Sequence, residues 1–148
     1  KEEIQLAKPE CYVTTPITSA IKAFKLMNIK KITVFTPYPE SVNKTIYEYF
    51  SKKNIEILSF GTFNLELDVD FANIDPKYLS EILIELDTSK ADALFVSCTA
   101  LPALEIINEV EKKINKPVFS SNQTLIWDTI RSVGYKSQIE GYGQLFKK

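Results

Sequence analysis

Histidine is absent from this chain of 148 residues. Its absence excludes a Ser-His or Cys-His nucleophilic pair within the chain, and any histidine-ligated zinc site. Cysteine is scarce: Cys11 and Cys98 are the only two. Neither belongs to a metal-spaced cluster, and two cysteines in a domain of this size make no disulfide framework. Charge of one sign is also lacking. Lys plus Arg number 18 against 19 Asp plus Glu, a net charge of -1, with no basic block longer than a pair or so. Nucleic acid and anionic membranes are therefore poor partners. No apolar run approaches the roughly 18 residues of a membrane span. The opening "KEEIQLAKPE" lacks the basic start and apolar middle of a signal peptide. The chain reads as cytoplasmic.

What is present fits one globular domain, with 45% hydrophobic and 25% charged residues. Short β-rich runs alternate with helical patterns. The runs are "CYVTT" (11–15), "KITVFTP" (31–37), "IEILSFG" (55–61), "ADALFVSC" (91–98) and "KPVFSSN" (116–122). Between them, apolar residues recur at helical spacing, as in Val42, Ile46, Tyr49 and Phe50, or Leu79, Ile82, Leu83 and Leu86. Such alternation predicts an α/β fold: a doubly wound parallel sheet of about four strands plus one leading strand at 11–15. Thr15-Pro16 and Asp75-Pro76 read as helix starts, Pro39 and Pro102 as first-turn prolines, and Gly134 as a stop. Residues 62–74 read as a loop with at most one short turn.

Polar residues collect where strands end: Thr14 and Thr15, Thr36 to Tyr38, Ser97 to Thr99, and Ser120 to Asn122. In a parallel sheet these positions share one edge, suited to a small anion. Each alone could be a helix cap. Cys98 sits on that edge between Ser97 and Thr99. A lone cysteine after an apolar run is commonly a packing residue. Here its polar flanks, and a helix expected to start just after it, would favour a thiolate. Cys11, at the start of its run, reads as packing.

An internal repeat is also visible. "VTTPITSAIKAFKLMN" (13–28) aligns with "FSSNQTLIWDTIRSVG" (119–134) at an offset of 106 residues. If the repeat is a duplication, the counterpart of Cys98 falls before residue 1. The chain then reads as the second half of a two-lobed protein, with 1–30 ending a first lobe and forming a crossover helix, 31–134 a second lobe, and 135–148 a tail.

The segments "VTTPITSAIKAF", "ITVFTPYPESVN", "FVSCTALPALEIINEVEKKINKPVFSSNQTLIWDTIRSVG" and "GYGQLF" resemble the aspartate/glutamate racemase superfamily. The nearest branch is that of maleate cis-trans isomerases, arylmalonate decarboxylases and ectoine-utilisation proteins. The resemblance implies two pseudo-symmetric lobes, one active-site cysteine or its replacement from each, and no metal or organic cofactor. It makes Cys98 the cysteine that exchanges a proton with the carbon next to a carboxylate of a small carboxylic acid. Thr99 and its backbone N–H match a carboxylate-binding position, and Tyr38 a hydroxyl donor to the carboxylate or enediolate. Asn43 matches a recurrent asparagine of the next helix, for which a structural role is the simpler reading. A further substrate-binding asparagine falls on Asn64 or on Asp68, and an aspartate there would repel a dicarboxylate. Without its first lobe the chain would have little or no turnover, and an uncovered lobe face would favour self-association. The competing reading is a non-catalytic α/β module that binds a small anion along the same edge.

Overall fold

The computed structural model describes residues 2–86 and 88–148, so that Lys1, at the head of the expected first-lobe segment, lies outside the described residues. Four strands, β1 (Lys31–Thr36), β2 (Glu56–Thr62), β3 (Ala93–Val96) and β4 (Val118–Ser120), form a parallel sheet in the order β2-β1-β3-β4. The helices described are α1 (Glu2–Ala7), α2 (Pro16–Leu26), α3 (Glu40–Ser51), α4 (Asp68–Ala72), α5 (Pro76–Glu85), α6 (Ile107–Ile114) and α7 (Ser121–Ser132), followed by a 3-10 turn at Gln144–Lys147. This is the doubly wound α/β architecture that the alternating pattern predicts.

The central strands are apolar on both sides because both faces are covered. Alternate residues face opposite layers. Ile32, Val34, Ala93, Phe95 and Phe119 join Phe24 of α2 and Phe50 of α3 in one cluster, with Trp127 of α7. Phe35, Leu94, Val96 and Val118 join Leu79 and Leu83 of α5 and Ile107 and Val110 of α6 in the other. The first cluster is aromatic: the Phe24 ring meets Phe95 at 5.5 Å and Phe119 at 5.1 Å, both edge to face.

The helix ends follow the predicted chemistry. The Thr15 hydroxyl caps α2 with Pro16 in the first turn, and the Asp75 carboxylate accepts from the Lys77 and Tyr78 amides at the start of α5. Pro39 stands at the N-cap of α3, one residue before the first turn. Gly134 takes φ +86° after α7, and the Tyr135 amide returns to the Ile130 carbonyl at 3.0 Å. Asn28 does the same after α2 with φ +57°, and Ile29 returns to Phe24 at 2.8 Å. The two helix ends therefore match at the 106-residue offset of the repeat. Their caps, Thr15 and Ser120, are out of step with it by one residue.

Two expectations are corrected. The leading strand at 11–15 does not form: the segment is irregular and pairs with no strand. Its side chains go elsewhere. Tyr12, Thr14, Ser19 and Lys22 all turn to the buried Asp128 carboxylate of α7, with Thr14 Oγ1 at 2.6 Å, Ser19 Oγ at 2.9 Å and Lys22 Nζ at 3.0 Å. Pro102 does not open a helix either, since α6 starts only at Ile107. Leu101, Ala103 and Ile106 are buried in the core, so the segment after β3 follows the packing surface. Proline also disfavours helical backbone at Leu101 before it.

Residues 135–148 fold back onto α6 and α7. Glu111 of α6 accepts from the Val118 amide at 3.0 Å and the Gln144 amide at 2.9 Å, and Gln123 donates to the Tyr142 carbonyl at 2.6 Å. Burial pushes the Glu111 carboxyl up, against the pull of those two amides and of Lys147.

Candidate active site

The strand order reverses between β1 and β3. From β1 the chain turns into α3 on the face of the Phe24 cluster, and from β3 towards α6 on the other face. In an open parallel sheet, the crevice beyond the strand ends at that point is where ligands bind. Tyr38 follows β1 and Cys98 follows β3.

Both are placed by backbone geometry. The Ser97 amide donates to the Phe35 carbonyl at 2.8 Å, extending the β1–β3 ladder to the residue before the thiol. Cys98 is buried at 4% exposure, and the Ala100 amide donates to its Sγ at 3.3 Å. This contact replaces the helix start expected beside the sulfur. The Asn122 amide group, in the first turn of α7, donates to the Thr99 carbonyl at 2.9 Å and ties the segment to the neighbouring strand end. Thr99 itself is exposed.

Tyr38 is half-buried and clamped. Its carbonyl accepts from Asn43 Nδ2 at 2.8 Å and Thr62 Oγ1 at 2.6 Å, and its amide donates to Thr36 Oγ1 at 3.3 Å. Thr36 in turn donates to Asn43 Oδ1 at 2.6 Å. Both ends of the buried Asn43 amide are thus engaged within the chain. The segment after β2 is zipped to the same loop, with the Phe63 amide on the Thr36 carbonyl at 3.2 Å and the Leu65 amide on Pro37 at 2.7 Å.

Tyr38 packs against the buried cluster that holds Cys98. Burial first, then Cys98 and the charge of Asp68, push the phenol well above its usual range, so it stays protonated near neutral pH. The structure therefore brings Cys98, Thr99 and Tyr38 to one place, with Asn43 behind Tyr38. Asn64 is exposed and lines a cavity of about 560 Å³ together with Asn43 and Thr62, the two residues that hold the Tyr38 carbonyl; neither Cys98 nor Tyr38 lines it.

Two features were not foreseen. Thr62 closes the clamp on Tyr38, and its only sequence signal is a hydroxyl at the end of a strand run. Phe71 of α4 packs edge to face on the Tyr38 ring at 5.6 Å, in a stretch whose mixed patterning hides its inward face. Among the described residues no group of three or more His, Cys, Asp or Glu could hold a metal ion, and no helix is long and apolar enough to cross a membrane.

Comparison with known proteins agrees with the fold. The family model described as arylmalonate decarboxylase matches residues 4–146. The maleate isomerase of Geobacillus stearothermophilus is 27% identical over 126 residues, covering 84% of this chain and 50% of the relative. The arylmalonate decarboxylase of Bordetella bronchiseptica is 24% identical over 136 residues, 90% of this chain and 57% of the relative. Among solved structures, the Nocardia farcinica maleate cis-trans isomerase bound to TRIS superposes with a TM-score of 0.90 at 18% identity, covering 98% of this chain and 59% of its own. At that identity the likeness shows the fold. The chain spans about half the length of the curated relatives it matches.

Proposed function

Because the chain belongs to the arylmalonate decarboxylase family, we propose that it is the Cys98-bearing lobe of a cofactor-independent, cysteine-based isomerase, racemase or decarboxylase. It would act at the carbon next to a carboxylate of a small carboxylic acid. The observation that carries this reading is the meeting of Cys98 and Tyr38 at the strand-order switch point. Cys98 would exchange the proton. As the carbon–hydrogen bond breaks, the sulfur takes the proton and the electron pair moves into the carboxylate as an enediolate. Charge then builds on the carboxylate oxygens, where the Thr99 amide and the protonated Tyr38 hydroxyl would donate, while the Ala100 amide stays on the sulfur. Asn43 is a positioning residue in this scheme, fixing the Tyr38 backbone. The chemistry requires no metal and no histidine.

Half the length of the relatives supports a site completed by a second lobe. The unpaired stretch at 11–15 supports it too: it precedes α2 as β4 precedes α7, and would be a strand of that other sheet. The lobe alone would then turn over little substrate, and its uncovered face would self-associate. The two unpaired cysteines support a reducing, cytoplasmic setting.

Alkylation with iodoacetate near neutral pH, read on the cysteine peptides by mass spectrometry, tests the site. Cys98 is expected to react and to be protected by millimolar phenylacetate. A Cys98 that stays inert while Cys11 reacts would instead favour a non-catalytic anion-binding module. Robust turnover of maleate or an arylmalonate by the chain alone would refute the half-site reading.

A further inference from the structure

We infer that Asn122 is a positioning residue for the Cys98 sulfur, acting through the Thr99–Ala100 peptide group. This inference rests on the reading of Cys98 given above.

Three polar residues, Ser120, Ser121 and Asn122, stand where β4 gives way to α7. Ser120 is the cap: its Oγ accepts from the Gln123 amide at 3.1 Å. Asn122 takes no part in that bond, and its side chain reaches across to the neighbouring strand end instead. The β3–β4 register places it there. Val96 is the partner of Ser120, and Cys98 and Asn122 each stand two residues further along their chains. Asn122 Nδ2 donates to the Thr99 carbonyl at 2.9 Å. A carbonyl only accepts, so the nitrogen is the end of the amide that must face it.

That carbonyl and the Ala100 amide belong to one peptide group. A trans peptide is planar, and its C=O and N–H point in opposite directions. Holding the oxygen on Asn122 therefore holds the N–H turned the other way, where it meets Cys98 Sγ at 3.3 Å. One rigid unit thus links the first turn of α7 to the sulfur. A donor on the sulfur favours its charged form, and the thiolate is the form that takes the proton from carbon in the proposed chemistry. Hydrogen bonds to an ionised acceptor are also the stronger ones. Cys98 is 4% exposed, so water is a poor substitute for a lost donor. The titratable groups that act at this end of the sheet are Tyr38, after β1, and Asp68 of α4, whose charge acts on Tyr38. Both are kept in the variants that test the link.

Asn122→Ala removes the donor, and Asn122→Leu removes it while filling much of the same space with a good helix former. Iodoacetamide is the probe: a carbon–sulfur bond forms at Cys98, iodide leaves, and the thiol proton passes to solvent. Rates are read at the Cys98 peptide by mass spectrometry at pH 7 and about pH 10, beside urea melts of each variant. Both variants are expected to react about three- to tenfold more slowly at pH 7, and to change less than about twofold at about pH 10, where the thiolate forms without the donor. A fall by one factor at both pH values would make Asn122 a packing residue, and an unchanged rate at pH 7 would give it no role at the sulfur. Either result overturns the inference and leaves the reading of Cys98 intact. The unaltered chain supplies a measurement free of any folding defect: the Ala100 amide proton resonance should move with pH in step with the Cys98 alkylation rate. A resonance that ignores the thiol would overturn the link through the peptide. A Cys98 of the unaltered chain that resists iodoacetamide at both pH values would overturn both the inference and the reading of Cys98.

Discussion

Replacing Asp128 with alanine should unfold this protein more readily than any other single polar substitution on α7. The carboxylate is buried, with residue exposure of 6%, and receives Tyr12, Thr14, Ser19 and Lys22. Burial pulls its carboxyl up, but the hydrogen bonds from Thr14, Tyr12, Lys22 and Ser19 outweigh it and hold the group below its ordinary 3.8. Removing one partner of a buried charged network costs about 3–5 kcal/mol. The Lys22 side chain is 39% exposed and can be solvated after the loss, which lowers the expectation to about 2–4 kcal/mol. For a chain near 150 residues this is a fall in Tm of about 5–15 °C. A carboxyl depressed in the folded state stabilises it above the unfolded value, and that contribution is lost as pH falls through the folded value. The gap between the native protein and Asp128→Ala should thus be full at pH 7 and shrink below pH 3.8. Thermal and urea melts at both pH values measure it. A difference under about 0.5 kcal/mol at pH 7, or one independent of pH, would refute the claim that this network anchors residues 11–15.

Two further perturbations probe the site and the tail. Asn43→Ala leaves the Thr36 hydroxyl and Tyr38 carbonyl each short of a partner, and should cost about 1–3 kcal/mol and loosen the Tyr38 loop. Urea melts and amide hydrogen exchange at Tyr38 check it, with exchange unchanged in β1. Gly143→Ala meets both a φ of +85° and a Cβ that would lie 2.6 Å from Ile107 Cγ2 and 2.9 Å from Gln123 Nε2. It should cost about 2–4 kcal/mol and release the tail, seen as faster proteolysis after Gly134.

The fold was legible because its signals are local and redundant. Val34 and Phe35, or Leu94 to Val96, are apolar on both faces, and that double burial is what a parallel sheet covered on each side requires. The failure at 11–15 has a clear cause. "CYVTT" has strand composition, but composition does not reveal that Tyr12 and Thr14 have a buried acid 116 and 114 residues away to bond. The misplaced helix start after Cys98 has a similar origin: Pro102 looks like a first-turn proline until Leu101, Ala103 and Ile106 are seen to bury in the core. Cys98 and Tyr38 were legible as strand-end residues on one edge. Their sharing of one site came only through the family resemblance, because strand composition does not show that β1 and β3 are neighbours.

The most direct test of the central reading is an amide-resolved NMR titration of the chain with phenylacetate. The site described here predicts saturable shifts concentrated at Thr99, Ala100 and Tyr38, retained in a Cys98→Ala variant. Shifts concentrated instead at Lys44 and Asn64, or no saturable shift at all, would contradict a carboxylate site built around Cys98.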